Sequence, residues 1–162
     1  MSRKLKLHIA LLKTFAVSAI FYASNAFAEG DLTKQKPRVI EILMEGREGS
    51  YHRYSPSKIT LETGKLYKLI LRNKSDSKHY FISPGFADAV FTRKVEINHL
   101  GNKIAEIKGS IREIEVFPGY SSEWWVVPLK TGTFNDLRCR VEDKETGLTH
   151  NEMGMIGVIE VF

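Results

Sequence analysis

The chain has 162 residues, enough for one domain with a proper core, and its 43% hydrophobic and 27% charged content is that of an ordinary globular protein. Its formal charge of +5 reflects 24 basic against 19 acidic residues, but Arg3, Lys4, Lys6 and Lys13 all fall in the first 28 residues, where there is no acid. The remainder is close to neutral, so its charge gives no reason to expect nucleic acid as a partner.

Met1 to Lys6 is basic. Ile9 to Ala23 is apolar apart from Lys13 and small hydroxyl residues, and Ala26-Phe27-Ala28 offers an Ala-x-Ala cleavage site. This is the pattern of a secretory signal peptide over residues 1–28, and it predicts a periplasmic protein with no stable membrane span after cleavage. The apolar core is short for a span of roughly 20 residues. Residues 29–37 are polar and read as a flexible leader, and residues 38–162 read as the domain.

Within the domain, Arg38 to Leu43 is β-rich and is the first expected strand. Met44 to Ser57, with Tyr51, His52 and Tyr54, reads as a polar loop. Lys58 to Leu61 is a short strand followed by a turn. Leu66 to Arg72 places Tyr67, Leu69 and Leu71 on one face with a period of two, the clearest strand of the chain. A polar turn then delivers the strand His79 to Ile82, which Ser83-Pro84-Gly85 breaks. Phe86 to Phe91 is expected to form one or two helical turns. Further strands are expected over 93–97, 103–107, 111–117, 123–127, 133–139 and 155–162, with turns between them and a long loop from 140 to 149. Short strands with frequent turn signals and almost no helix predict an all-β sandwich.

The sequence holds one cysteine, Cys139. In an exported protein it has no internal disulfide partner, so it is either buried and inert or held as a ligand. It shares a face with Leu137 and should point inward. Downstream lie His150, Met153 and Met155. Thiolate, imidazole and thioether are donors that suit copper, and a further histidine from a neighbouring strand would complete three strong donors. His52 and His99 fall in expected loops and read as solvated, with a second, weaker metal site at His52 as an alternative.

Several stretches together resemble the cupredoxins, secreted β-sandwich proteins that hold one type 1 copper ion. They are Leu71-Arg72-Asn73 followed by His79; Pro118-Gly119 before an aromatic strand; Gly132-Thr133-Phe134 leading to Cys139; and His150 followed by Gly154-Met155, Gly157, Ile159 and Val161. The block from His79 through Ala87–Lys94 to Glu123-Trp124 also resembles plastocyanin/azurin-like exported proteins. The resemblance implies a Greek-key β-sandwich with a short helical insertion after the first ligand strand. It implies His79, Cys139 and His150 as equatorial ligands of one copper ion and Met155 as the weak axial ligand. Asn73 is then a candidate to hydrogen-bond near the site.

The chain departs from the family in three places. Ten residues separate Cys139 from His150, far more than is usual, and this acidic insertion could bring Glu142 or Asp143 to the metal. Phe134 lies one residue further from Cys139 than the family's aromatic does, which a bulge at Asn135-Asp136 would correct. Met153 competes with Met155 as the thioether ligand.

The function the resemblance implies is one-electron transfer, cycling Cu(I) and Cu(II), with the electron leaving through His150 to an exported redox or copper-handling partner. Copper capture or delivery is the alternative, and an open-site copper enzyme or sensor enabled by the long loop is a third possibility. With no Gly-x-Ser-x-Gly, His-Glu-x-x-His or phosphate-binding glycine loop, the expectation is a protein that is not an enzyme.

Overall fold

Strand periodicity governs the described part of the chain. In β4 (Tyr67–Asn73) every second side chain is buried and those between are half-buried, as a strand covered more fully on one face requires. The same alternation recurs in β3 (Lys58–Leu61) and β8 (Glu113–Val116). The computed structural model describes residues 34–162; the expected signal peptide, residues 1–28, and most of the expected leader lie outside the described residues. No helix among the described residues is long and apolar enough to cross a membrane.

Two sheets face each other. The first has the order β2-β1-β4-β9-β6-β7, with β1 at Arg38–Arg47, β2 at Tyr51–Ser55, β6 at Val90–His99, β7 at Asn102–Ile107 and β9 at Tyr120–Pro128. The second has the order β3-β11-β10-β5-β8, with β5 at His79–Ile82, β10 at Gly132–Arg138 and β11 at Ile156–Val161. The pairs β1–β4 and β3–β11 are parallel and the other pairs antiparallel.

The core lies between the sheets, with Ile42, Leu69, Leu71, Trp124 and Val126 from the first and Ile59, Phe81, Leu137 and Ile159 from the second. One helical turn, α1 (Pro84–Ala87), follows β5 and drives Phe86 edge-on against Trp124 and Phe134. The all-β sandwich and its short helical insertion are therefore as expected.

The expected bulge is present. The register of β10 against β11 shifts between Phe134 and Leu137. Asp136, inside the shift, receives the Ser83 hydroxyl at 2.5 Å and the Gly85 amide at 2.7 Å, so the irregularity holds α1 in place. Leu137 and Cys139 both point into the core.

Two local expectations change. Residues 44–57 are not a loop: β1 runs on to Arg47, and β2 pairs back along it. Helical structure ends at Ala87, and β6 then runs for ten residues across a register shift between Thr92 and Lys94. That shift breaks the simple alternation by which a strand is recognised.

Candidate metal centre

His79 opens β5, Cys139 follows the last residue of β10, and Met155 precedes β11. With His150 from the intervening segment, all four side chains are fully buried. Short backbone bonds knit the last three together. Met155 donates its amide to the His150 carbonyl at 2.8 Å, Cys139 donates to the Met155 carbonyl at 3.2 Å, and Asn151 donates to the Cys139 carbonyl at 2.9 Å.

The donor atoms converge. His79 Nδ1 and His150 Nδ1 lie 3.0 Å apart, and Cys139 Sγ lies 3.9 Å from the first and 3.5 Å from the second. In the plane of these three atoms, the equidistant point is about 2.0 Å from each, the length of a metal–imidazole bond and about 0.3 Å short of a metal–thiolate bond. The sulfur also receives the Tyr80 amide at 3.3 Å.

The first histidine is oriented by its preceding loop. Asn73 donates to the carbonyls of Ser77 and Val116, both at 2.8 Å, and accepts the Ser75 amide at 2.9 Å. Ser75 Oγ lies 2.7 Å from His79 Nε2. The hydroxyl has Asn73 Oδ1 and the Ser77 carbonyl to donate to, so it is free to accept from Nε2–H, which leaves the Nδ1 lone pair facing the other donors. Asn73 thus acts on His79 through Ser75, and none of its hydrogen bonds reaches the His150 segment.

Residues 140–149 fold into an ordered insertion. Glu142 bridges to Thr149, Asp143 donates its amide to the Leu148 carbonyl at 2.8 Å, and His150 donates to the Val141 carbonyl at 2.7 Å. Glu142 is exposed. It lines a groove of about 740 Å³ with Tyr80, Phe117 and Arg140, a groove that His79, Cys139, His150 and Met155 do not line. The sulfur of Met153 accepts from the Thr146 hydroxyl at 3.5 Å. Asp143 is buried and turned to the β1–β2 hairpin, where its Oδ2 accepts the Gly49 amide at 2.9 Å and pairs with His52 Nε2 at 3.0 Å.

His52 is the residue that sequence reasoning misplaced. It is 1% exposed, and its ring stacks on that of His150, with centroids 3.5 Å apart and an interplanar angle of 16°. His52, His79 and His150 each offer a nitrogen within 4.8 Å of the others. His150 is accordingly covered, so the expected electron exit through a surface-facing His150 does not match its burial. His99 is half-buried and stacks on Tyr120 at 4.0 Å.

Burial sets the electrostatics. It lowers the pKa of His79 to about 3, with His150 and His52 adding to the effect, and that of His150 to about 4, with His52 adding. Both imidazoles are neutral lone-pair donors at ordinary pH. Burial pushes the Cys139 thiol up, and the amides of Tyr80 and Val141 pull it part of the way back. The bond from His52 holds the Asp143 carboxyl well below the usual carboxylate range, against the opposing effect of burial.

No family model and no curated protein matches the sequence. Among solved structures, the chain is similar to a multi-copper oxidase from Pediococcus acidilactici, with TM-score 0.56, 18% identity, and coverage of 78% of this chain and 26% of that one. It is similar to a copper-containing nitrite reductase from Thermus scotoductus SA-01, with TM-score 0.53, 14% identity, and coverage of 80% and 34%. A further multicopper oxidase gives TM-score 0.51, 14% identity, and coverage of 79% and 46%. The fold is cupredoxin-like. The chain spans less than half the length of each of these neighbours.

These cupredoxin-like neighbours correct one expectation. Two are multicopper oxidases and one is a nitrite reductase, all copper enzymes, so the expectation of a protein that is not an enzyme does not hold. The absent motifs spoke only to hydrolases, zinc peptidases and phosphate-binding enzymes. Catalysis by a bound redox metal needs none of them.

Proposed function

We propose that the protein is a small plastocyanin/azurin-like copper protein whose single type 1 centre serves one-electron transfer. The observation that carries this reading is the convergence of Cys139 Sγ, His79 Nδ1 and His150 Nδ1 within 3.0–3.9 Å of one another at full burial. Two imidazoles and one thiolate, with the Met155 thioether as a weak fourth donor, form the blue-copper donor set. Bound there, copper would supply exchange of one electron between Cu(I) and Cu(II).

The chain's own residues supply the rest. Burial keeps His79 and His150 unprotonated and ready to donate. The raised thiol pKa of Cys139 means that its proton must leave when a metal binds, and the Tyr80 amide then stabilises the negative sulfur. The sheets and the His150–Met155 backbone bonds hold the donors fixed, and burial excludes water.

The signal-like first 28 residues support export to the periplasm, and they make the partner an exported redox or copper-handling protein. A second reading takes its support from the oxidase and nitrite reductase neighbours, in which the same centre belongs to a copper enzyme and serves a reaction carried out elsewhere in the assembly.

The test is addition of Cu(II) to the protein and to Cys139→Ala, side by side. The parent should develop an intense visible thiolate-to-copper band and the variant none. Equal copper binding by both would sink the assignment. A colourless complex that prefers Cu(I) would point to capture and delivery.

A further inference from the structure

The pair formed by His52 and Asp143 is not used by the reading above. His52 faces Gly46 across the β1–β2 pair, and a Cβ at Gly46 would lie 2.1 Å from His52 Nδ1, so the ring occupies space that only a glycine leaves. Its Nε2–H donates to Asp143 Oδ2 at 3.0 Å. Asp143 belongs to the insertion between Cys139 and His150. Its Oδ2 also accepts from Gly49, and its Oδ1 accepts from the amides of Glu145 and Thr146 and from the Thr146 hydroxyl.

Two simpler roles fail. Glu48, His52 and Asp143 lie close enough together to suggest a second cation site, but five donors already occupy the Asp143 carboxylate. His52 is also poorly placed as another ligand of the ion that His150 would hold. An imidazole lone pair lies in the plane of its ring, and the two rings are nearly parallel at 3.5 Å, so an ion in line with His150 Nδ1 stands out of the His52 plane. Meanwhile His52 Nδ1 and His150 Nε2 are buried without a hydrogen-bond partner. Such orphaned atoms cost folding free energy.

We propose that His52 is a positioning residue of the metal centre: its ring, anchored by Asp143, fixes the plane of His150 and closes the face by which solvent or a small ligand would reach it. The inference rests on His79, Cys139 and His150 being metal ligands. It gives the long insertion a purpose, since the loop expected to open the centre carries the carboxylate that keeps it shut.

The experiment loads the parent, His52→Ala and His52→Phe with Cu(II), then follows the thiolate-to-copper band, copper affinity by chelator competition, and the response of the band to azide. The parent band should not respond to azide. His52→Ala should bind copper roughly 10- to 100-fold more weakly and show a band that azide shifts. His52→Phe, which restores a flat ring, should resist azide as the parent does. An adequately folded His52→Ala with the parent's band and azide resistance overturns the inference alone, as does a His52→Phe centre as open to azide as His52→Ala. A parent with no thiolate-to-copper band overturns the ligand reading as well. If His52→Ala does not fold, His52→Val, which fills space without a flat ring, is read by the same criterion.

Discussion

Tyr80 donates its backbone amide to Cys139 Sγ across 3.3 Å. The bond ties the start of β5, which carries His79, to the end of β10, and it is made to a side chain with no solvent exposure. The reactive form of a cysteine is the thiolate, and burial raises the Cys139 pKa. The metal-free protein should therefore react with Ellman's reagent near pH 8 far more slowly than the same protein in denaturant. Equal rates in the two conditions would mean that the thiol reaches solvent.

Acid should destabilise the metal-free protein before ordinary carboxylates titrate. The unfolded chain takes up protons at His79 and His150 near pH 6.5, whereas the folded chain does so only at about 3 and about 4. Between those limits the unfolded state binds more protons, so stability falls as pH falls. The depressed Asp143 carboxyl acts in the same direction once pH drops below its ordinary range near 3.9. Urea midpoints measured from about pH 7.5 down to about pH 4 should decline, by an amount on the order of a few kcal/mol in stability. A flat profile would contradict the buried, neutral histidines.

Asp136 links the β10 bulge to α1 through Ser83 and Gly85. Asp136→Ala should cost about 3 kcal/mol or more by removing two hydrogen bonds to the carboxylate, read as a lower urea midpoint. An unchanged midpoint would show that the turn is held by Phe86 packing alone.

Gly157 is a second point where the fold is tight. A Cβ there would sit 2.6 Å from the Ser57 carbonyl oxygen and 2.8 Å from Leu137 Cδ2. Ser57 accepts the Val158 amide at 2.8 Å, so the backbone cannot easily withdraw. Gly157→Ala should lose about 1–3 kcal/mol in chemical denaturation, and a neutral result would mean that β3 and β11 can separate without penalty.

Residue pattern and chemistry explain which features the sequence made legible. β3, β4 and β5 stood out because aliphatic and aromatic residues recur in short extended runs, and the Cys139–Met155 segment because its soft donors are rare and closely spaced. β2 did not, because Tyr51-His52-Arg53-Tyr54 alternates with a histidine and a tyrosine inward, which composition reads as polar. His52 was missed for a related reason. Its burial depends on Asp143, 91 residues away, and on the missing side chain of Gly46, and neither is a local signal.

Ser75 offers a test of His79 as a proposed ligand that spares the core. Its hydroxyl lies 2.7 Å from His79 Nε2 and is held by Asn73 and Ser77. Ser75→Ala leaves that ring nitrogen without its partner and frees the choice of tautomer, so Nδ1 carries a proton part of the time. A hydrogen-bond partner of this kind is typically worth 10- to 100-fold in metal affinity. Ser75→Ala should therefore weaken copper binding by roughly that factor, with a stability loss near 1 kcal/mol. Asn73→Ala removes the brace for the whole loop, including the bonds to Ser77 and Val116, and should lose more stability than Ser75→Ala. Chelator competition and urea denaturation on the two variants separate these effects. Unchanged affinity in Ser75→Ala would show that this loop does not set the His79 tautomer.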